Sequence, residues 1–210
     1  MINRAIPIAE MLLQINAIKL SPQNPFTWAS GIKSPIYCDN RIVLSHPDVR
    51  NFVAESFIEA SKDFAPFNVI AGVATAGVPH GAILAYKMNL PFIYVRDKSK
   101  SHGRQNQIEG ELPENSRVLV IEDLISTGKS SLAAIEPLRE AGAAIAGVLA
   151  IFTYQLPVAE QAFKEASVDF RTLSDYTTLL DIAIKSKYIT EAEKGLLSAW
   201  RKDPENWQGY

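Results

Sequence analysis

Residues 118–131 have the sequence VLVIEDLISTGKSS, and this stretch decides the fold that the chain is predicted to adopt. Residues 118–121 form a continuous apolar run, which is typical of a strand buried on both faces of a parallel sheet. Glu122 and Asp123 follow at the point where we expect this strand to end. Residues 126–131 are a hydroxyl-rich turn around a glycine, followed by helix-forming residues. The stretch therefore predicts the strand, turn and helix of an α/β fold.

The same stretch has the chemistry of a site for a phosphorylated sugar. Backbone N–H groups in a turn at a helix N-terminus bind phosphate, and adjacent carboxylates accept hydrogen bonds from vicinal ribose hydroxyls. The segment from Gly128 to Ser130 resembles the end of a Walker A loop, but Asp123 stands where that motif needs its first glycine. The sequence contains no G-x-G-x-x-G. The alternative without a ligand is an ordinary buried strand followed by a Ser/Thr helix cap.

The complete pattern of four apolar residues, Glu-Asp, two apolar residues and Ser-Thr-Gly-x-Ser resembles the 5-phosphoribosyl-1-pyrophosphate (PRPP) signature of type I phosphoribosyltransferases. The resemblance implies that the acidic pair binds the ribose hydroxyls and that Asp123 is also catalytic. It implies that the turn binds the 5′-phosphate. The PRPP-binding residues implied in this stretch are Glu122, Asp123, Leu124, Ile125, Ser126, Thr127, Gly128, Lys129 and Ser130.

A second informative stretch, residues 26–41, has the sequence FTWASGIKSPIYCDNR. It predicts two short strands around a Ser-Gly turn, with Pro35 starting the second. Composition alone favours a plain hairpin packed on the first helix. The spacing F-T-x-x-S-G-x-x-S-P-x-Y-x-D-x-R, however, resembles the N-terminal hood of the orotate phosphoribosyltransferase family. That resemblance implies that Tyr37 and Cys38 lie beside a pyrimidine. Ala29 stands where the family often has a lysine that reaches the neighbouring subunit, and Lys33 is a candidate substitute.

Two further loops follow predicted strands. Residues 68–73 predict a second buried strand, and the small-residue turn after it is, by itself, an ordinary strand–helix connection. The resemblance implies that Thr75, Ala76 and Gly77 bind pyrophosphate, although relatives often have a lysine at the position of Ala76.

Residues 92–95 predict a third core strand, and a cationic run follows it from Arg96. Composition predicts a solvated loop there. The order R-x-K-x-K-x-H-G resembles the family's catalytic lid, which implies that Arg96, Lys100 and His102 bind pyrophosphate and that Lys100 and His102 are catalytic. Lys98 is a weaker candidate. Asp97 stands where many relatives have a lysine that enters the partner's site.

Apolar spacing predicts helices over residues 6–20, 47–62 (with Ser45 as N-cap), 80–88, 130–141, 157–166, 175–184 and 190–202. Residues 145–153 predict a fourth core strand. Tyr154 follows it and is a weak candidate for the pyrimidine site, together with Ser126. Trp200 and Trp207 are expected to be packing residues.

Length and composition bound the remaining possibilities. The chain has 210 residues, which predicts a single domain with a helix and hood at about 1–45, an α/β core at about 46–170 and helices at about 171–210. A net charge of −2 and a pI of about 6.0 predict no broad nucleic-acid or membrane surface. Cys38 is the only cysteine, so no internal disulfide forms, and we expect a cytoplasmic location.

The sequence thus predicts an α/β fold with a central parallel sheet flanked by helices, like that of type I phosphoribosyltransferases, with a small N-terminal hood. The resemblance implies transfer of phosphoribose from PRPP to orotate, giving orotidine 5′-monophosphate and pyrophosphate in pyrimidine biosynthesis. It implies Mg²⁺ bridged through PRPP near Asp123, and a homodimer with active sites near the subunit interface. Transfer to another base, or a PRPP-sensing regulator without catalysis, are the alternatives.

Overall fold

The computed structural model describes residues 4–28, 31–97 and 107–207. The strands in this part of the chain are β1 (Ile18–Leu20), β2 (Phe26–Thr27), β3 (Lys33–Ser34), β4 (Ile36–Cys38), β5 (Val69–Val73), β6 (Phe92–Val95), β7 (Ile108–Glu109), β8 (Arg117–Ile125), β9 (Ala144–Thr153) and β10 (Phe170–Asp175). The α-helices are α1 (Ala5–Gln14), α2 (Pro47–Ser61), α3 (Gly77–Met88), α4 (Lys129–Glu140), α5 (Pro157–Glu165), α6 (Tyr176–Lys185) and α7 (Glu191–Lys202). Two 3₁₀ helices cover Asn40–Ser45 and Lys62–Phe64.

The central sheet has six strands in the order β10-β9-β8-β5-β6-β7. The first five strands pair in parallel, which confirms the α/β prediction. β7 pairs antiparallel with β6, so the sheet is mixed rather than wholly parallel. A two-residue strand at the sheet edge carries too little pattern to be predicted from sequence.

Residues of opposite parity on the core strands enter different hydrophobic clusters. In β8, Leu119 and Ile121 join one cluster, whereas Val118 and Val120 join the other. This follows from the two-residue period of a strand, which points successive side chains to opposite faces. Both faces are covered by helices, and for this reason the strands carry continuous apolar runs.

β8 extends past the acidic pair, which corrects the expectation that the strand ends there. Its pairing with β5 finishes at Ile121 opposite Gly72, whereas its pairing with β9 continues to Ile125 opposite Thr153. Glu122 and Asp123 therefore lie within a strand whose β5 side has already opened. The loop after β5 lies on this opened side.

Several other predicted boundaries also change. The first helix ends at Gln14, because Asn16 takes a positive φ of 58° and the chain turns into β1, which pairs with β4. Pro35 lies between β3 and β4 rather than starting the second strand of a hairpin. His46, not Ser45, is the N-cap residue of α2, and its side chain makes no capping hydrogen bond.

The N-terminal and C-terminal elements share one core. The larger hydrophobic cluster contains both Ile8 of α1 and Trp200 of α7. The Ser174 hydroxyl at the end of β10 donates a hydrogen bond to the Ala5 carbonyl oxygen over 2.8 Å. Trp28 of the hood stacks on Tyr154 with ring centroids 5.6 Å apart, so the hood is packed on the carboxyl end of β9. Among the helices of the described residues, none is long and apolar enough to cross a membrane.

Candidate active site

The acidic pair lies at the carboxyl end of the sheet and is fixed by hydrogen bonds. Glu122 is only 5% exposed. Its Oε1 accepts a hydrogen bond from the Asp123 backbone N–H over 3.0 Å, and its Oε2 accepts one from the Ser131 hydroxyl of α4 over 3.3 Å. These bonds hold the Glu122 carboxyl between β8 and α4 and leave Asp123 as the less enclosed member of the pair.

Burial changes the protonation of both carboxyl groups. Burial, and then the charge of Asp123, raise the pKa of Glu122 well above its ordinary value of 4.5. Burial also raises the pKa of Asp123, but a side-chain hydrogen bond from Glu122 opposes this rise. Because that bond favours a protonated Glu122 and an ionised Asp123, Glu122 is the group that retains its proton. Asp123 is therefore the member of the pair that presents a charged carboxylate.

We expect Glu122→Gln to stabilise the ligand-free protein in a pH-dependent way. A folded-state pKa raised above the unfolded value means that stability falls as pH rises from about 4.5 towards the folded pKa. Glutamine removes this loss because it cannot ionise. The gain in Tm should be clear at about pH 8 and absent at about pH 4, with roughly 2–4 °C for each kcal/mol in a domain of this size.

Thermal unfolding at the two pH values measures this effect. Glu136→Gln is the matched control, since Glu136 is an exposed glutamate of α4 that lies next to Arg139. Its Tm should follow that of the wild type at both pH values. A gain from Glu122→Gln that is equal at both pH values would contradict the assignment of a raised pKa.

The turn after β8 requires a glycine. Gly128 caps α4 with a φ of +78°, and a Cβ on it would lie 2.7 Å from Cε2 of Phe163. The turn therefore runs close against α5 and delivers the chain directly into the N-terminus of α4, where unpaired N–H groups favour an anion. Ile125 is fully buried. Its carbonyl oxygen accepts a hydrogen bond from the Tyr154 N–H over 3.2 Å, so it is turned towards β9.

The loop after β5 lies against the acidic pair. Gly77, at the start of α3, approaches β8 so closely that a Cβ there would be 2.3 Å from the Ile121 carbonyl oxygen and 3.2 Å from the Cα of Glu122. Thr75 is exposed, and the peptide bond between Ala74 and Thr75 is cis. The family resemblance assigns residues 75–77 to pyrophosphate and the acidic pair to ribose. The close approach of Gly77 to β8 brings these two groups of residues together.

A cavity of about 690 Å³ opens over this loop. The described residues that line it are Arg41, Leu44, Ala74, Thr75, Ala76, Val78, Pro79, Tyr94, Arg96 and Asp97. Arg96 is held by Glu109, with 3.1 Å between Nη1 and Oε1. The predicted pyrophosphate residues Arg96, Thr75 and Ala76 therefore share one cavity. A cavity of similar size, about 710 Å³, lies between α1 and α6 and shares no lining residue with it.

The hood brings its own residues to the acidic pair. The Asn40 side-chain amide donates a hydrogen bond to the Asp123 carbonyl oxygen over 2.8 Å, which ties the end of β4 to β8. Tyr37 is 39% exposed. Burial, followed by the charges of Asp123 and Asp39, raises the pKa of the Cys38 thiol well above its ordinary value, so the thiol is neutral and lies near the acidic pair.

Tyr154 is placed differently from Tyr37, Cys38 and Ser126, the other residues predicted for the pyrimidine site. It is 3% exposed, and its ring packs edge-on against Trp200 and Tyr176 in addition to stacking on Trp28. The structure therefore uses this ring to hold the hood on the core. Trp200 is fully buried in the same aromatic cluster, and Trp207 packs against the larger core.

Some predicted residues lie outside the described part of the chain. They are Ala29, Lys98, Lys100 and His102.

The sequence interpretation also left three residues of this region without a role. Asn40 is fully buried, and its Oδ1 has no hydrogen-bond partner among the described residues. His80 hydrogen-bonds the Asn40 backbone, and burial lowers the pKa of His80 to about 4, so it is neutral. The third residue is Arg41. The D-x-R at the end of the hood pattern was the available signal for it.

Comparison with known proteins gives one consistent result. Residues 43–173 match the model of the phosphoribosyl transferase domain. A protein of Phocaeicola vulgatus named orotate phosphoribosyltransferase is 54% identical over 204 residues, covering 95% of each chain. One of the same name from Coxiella burnetii is 49% identical over 207 residues, covering 98% of this chain and 99% of the relative. The crystal structure of orotate phosphoribosyltransferase from Aeropyrum pernix matches with a TM-score of 0.75 and 28% identity, over 87% of this chain and 99% of that one.

Proposed function

The chain belongs to the phosphoribosyl transferase domain family, among the orotate phosphoribosyltransferases, and from this premise we propose that its site transfers the 5-phosphoribosyl group of PRPP to N1 of orotate. The products are orotidine 5′-monophosphate and pyrophosphate, a step of pyrimidine nucleotide synthesis. One observation carries the proposal. The acidic pair, the small-residue loop after β5 and the hood strand β4 converge at the carboxyl end of the sheet, where open α/β folds bind ligands.

PRPP binds across the carboxyl end of the sheet, from the turn after β8 to the loop after β5. Its 5′-phosphate binds the turn at the N-terminus of α4, residues 126–130, where backbone N–H groups and hydroxyls are available. Its ribose hydroxyls bind the carboxyl groups of Glu122 and Asp123. Its pyrophosphate lies in the cavity over residues 75–77 with Arg96. The phosphate and ribose subsites belong to β8 and the turn after it, and the pyrophosphate subsite belongs to the loop after β5, the neighbouring strand.

The reaction needs positioning and electrostatics rather than a covalent nucleophile. As the bond from C1 to pyrophosphate breaks, positive charge develops on the ribose ring. Asp123 is ionised and adjacent to the ribose, so its negative charge stabilises that transition state more than the ground state. Lys100 and His102, which the family resemblance places in a lid, stabilise the departing pyrophosphate.

The donor set fits a divalent cation held mainly by substrate. Among the described residues no group of three or more His, Cys, Asp or Glu side chains is arranged to hold a metal ion. The oxygen donors present are the carboxyl groups of Glu122 and Asp123, and Mg²⁺ prefers oxygen ligands and often binds through substrate phosphates. Asp123 would therefore contact a Mg²⁺ bridged through PRPP. When bound, that ion neutralises charge on the pyrophosphate.

The hood supplies the base site. Cys38 lies near Asp123 in β8. Tyr37 and Cys38 face orotate with ring and backbone groups, with Ser126 approaching from the turn. The active form is a homodimer with the lid reaching the neighbouring site. Lys33 is the candidate substitute for the lysine that relatives often have at the position of Ala29.

The direct test follows the absorbance of orotate with PRPP and Mg²⁺, alongside a sample with EDTA. We expect Mg²⁺-dependent loss of orotate with equimolar release of pyrophosphate. Uracil, adenine, guanine and hypoxanthine serve as competing bases. Turnover of one of these in place of orotate would overturn the assignment of the hood to orotate.

Lys100→Ala is expected to lower kcat by about 10²-fold, the typical cost of removing one preorganised electrostatic donor. Stability should be unchanged, and circular dichroism and Tm will report this. Lys62→Ala is the matched control, because Lys62 is an exposed lysine that pairs with Glu59 at 2.6 Å and does not line the cavity. A Lys100→Ala enzyme within a few-fold of the wild type would remove Lys100 from the mechanism.

A further inference from the structure

Arg41 lies at the mouth of the pyrophosphate cavity, although the sequence interpretation gave it no role. It follows β4 directly, in the 3₁₀ helix Asn40–Ser45, and lines the same cavity as Arg96 and the backbone of residues 74–76. Its side chain is 62% exposed, so its guanidinium remains accessible. The hood therefore contributes a cation to a cavity formed otherwise by the α/β core.

Asp39 fixes the orientation of that cation. The Arg41 Nε donates to Asp39 Oδ1 over 2.7 Å, and Nη2 donates to Oδ2 over 2.9 Å. The Arg41 backbone N–H also donates to Oδ1, over 3.2 Å. This two-point contact uses one edge of the planar guanidinium and restricts its rotation. Nη1 makes no hydrogen bond among the described residues, and its N–H groups remain for a ligand.

Arg96 is also paired with a carboxylate, although through a single contact, and this similarity supports a shared role. Its guanidinium contacts Glu109 at 3.1 Å, and neither Glu109 nor Asp39 is among the described lining residues of the cavity. Each arginine thus lines the cavity while a carboxylate that does not line it fixes its position. Oriented arginine forks match the geometry of phosphate oxygens.

The charge of the proposed ligand also supports a role for Arg41. A diphosphate is strongly anionic, and the small-residue loop offers it the Thr75 hydroxyl and backbone N–H groups but no cation, while Asp97 also lines the cavity. Arg41 lines the cavity and also lies close enough to Asp123 for the two charges to interact.

We propose that Arg41 binds the pyrophosphate group of PRPP directly, and that Asp39 is a positioning residue that orients it. The inference rests on the proposed function, since it assigns this cavity to the pyrophosphate group. The opposing explanation is an exposed ion pair without a ligand, and such pairs contribute little to stability.

The test compares Arg41→Ala with Arg171→Ala. Arg171 has the same side-chain exposure of 62% and pairs with Asp63 at 3.3 Å, in a different cavity. Inorganic pyrophosphate with Mg²⁺ is titrated into each protein by calorimetry. We expect Arg41→Ala to weaken binding by about 10- to 100-fold, the effect of losing a charged hydrogen bond, and Arg171→Ala to leave it unchanged. Arg41→Lys should retain part of the affinity, because it keeps the charge and loses the fork.

Kinetics separate a ligand contact from a merely structural role. In the forward reaction Arg41→Ala should raise KM for PRPP with kcat little changed, because the contact is made in both the ground and transition states, and should leave KM for orotate unchanged. Asp39→Asn should weaken pyrophosphate binding several-fold by itself and add nothing in the Arg41→Ala background, since Asp39 acts through Arg41.

The outcomes distinguish this inference from the proposed function. Pyrophosphate affinity within twofold of the wild type in folded Arg41→Ala would overturn it, whether or not the wild type converts orotate. An additive loss in the double variant would overturn the role of Asp39. If the wild type leaves orotate unchanged while Arg41→Ala still loses pyrophosphate binding, the proposed function fails and the assignment of Arg41 stands.

Discussion

Replacing Asp123 by asparagine is expected to lower kcat/KM for PRPP by about 10³-fold, the upper end of the range for one electrostatic group. Asp123 has two tasks, because it accepts hydrogen bonds from ribose and its charge faces the cation that develops on the ring. Asparagine retains the shape and one acceptor oxygen but removes the charge. The Asn40 bond is made to the backbone carbonyl of residue 123, so the hood should stay in place.

The same substitution should raise the stability of the ligand-free protein at neutral pH. Burial raises the pKa of Asp123, so ionising it at neutral pH costs folding free energy. Steady-state kinetics and thermal unfolding therefore move in opposite directions. The control is Asp181→Asn, at an exposed aspartate paired with Lys194 at 2.8 Å. It should leave the activity unchanged and should not raise the Tm. Unchanged PRPP affinity and rate in Asp123→Asn would refute the ribose assignment.

Adding one methyl group at Gly77 is expected to damage both stability and activity. An alanine Cβ would lie 2.3 Å from the Ile121 carbonyl oxygen, and that atom belongs to the backbone of the central strand, which cannot move cheaply. The start of α3 must then shift away from β8. We expect a loss of about 3 kcal/mol in the free energy of unfolding, or roughly 6–12 °C in Tm.

The displaced loop also carries the proposed pyrophosphate contacts, so its movement relative to the acidic pair should cost roughly 10²-fold in kcat/KM. Gly195→Ala is the control, since Gly195 lies in α7 with no atom within 4 Å of an added Cβ. Alanine there should stabilise the helix by up to about 1 kcal/mol. A Gly77→Ala protein with wild-type Tm and activity would show that α3 does not depend on this close approach.

The parts of the fold that are predictable from sequence are those with a strong local pattern. β5, β8 and β9 are apolar runs, because both of their faces are buried in the sheet interior. β6 is also an apolar run, although only Ile93 and Val95 on one face are fully buried. β10 has the sequence FRTLSD, and as an edge strand it has no such run. β1 continues the apolar spacing of α1 across Asn16, and only the positive φ of that residue separates helix from strand. The local sequence pattern therefore does not distinguish β10 from coil, and it does not distinguish β1 from a continuation of α1.

The candidate site divides in the same way. Glu122, Asp123 and the turn after them form one continuous motif, so the sequence alone identifies them. Asn40 and Arg41 lie outside that motif, and the D-x-R spacing that includes Arg41 does not show which distant groups either residue meets. Asn40 reaches a carbonyl group 83 residues later, and Arg41 meets the loop after β5 only once the hood is packed. Contacts of this kind follow from tertiary packing, which sequence spacing does not encode.

The shared core of the two chain ends has a consequence for how the protein is made. Ser174 bonds to Ala5 across 169 residues, and Ile8 packs in the same cluster as Trp200. A ribosome releases the N-terminal helix first, so α1 waits without its packing partners until nearly the whole chain has been synthesised. Closing so long a loop late makes completion of the larger core a slow, non-local event. The main packing partners of α1 are β10 and α6. A ribosome that stalls before these elements are released therefore holds a nascent chain with an exposed apolar helix, which a chaperone would bind.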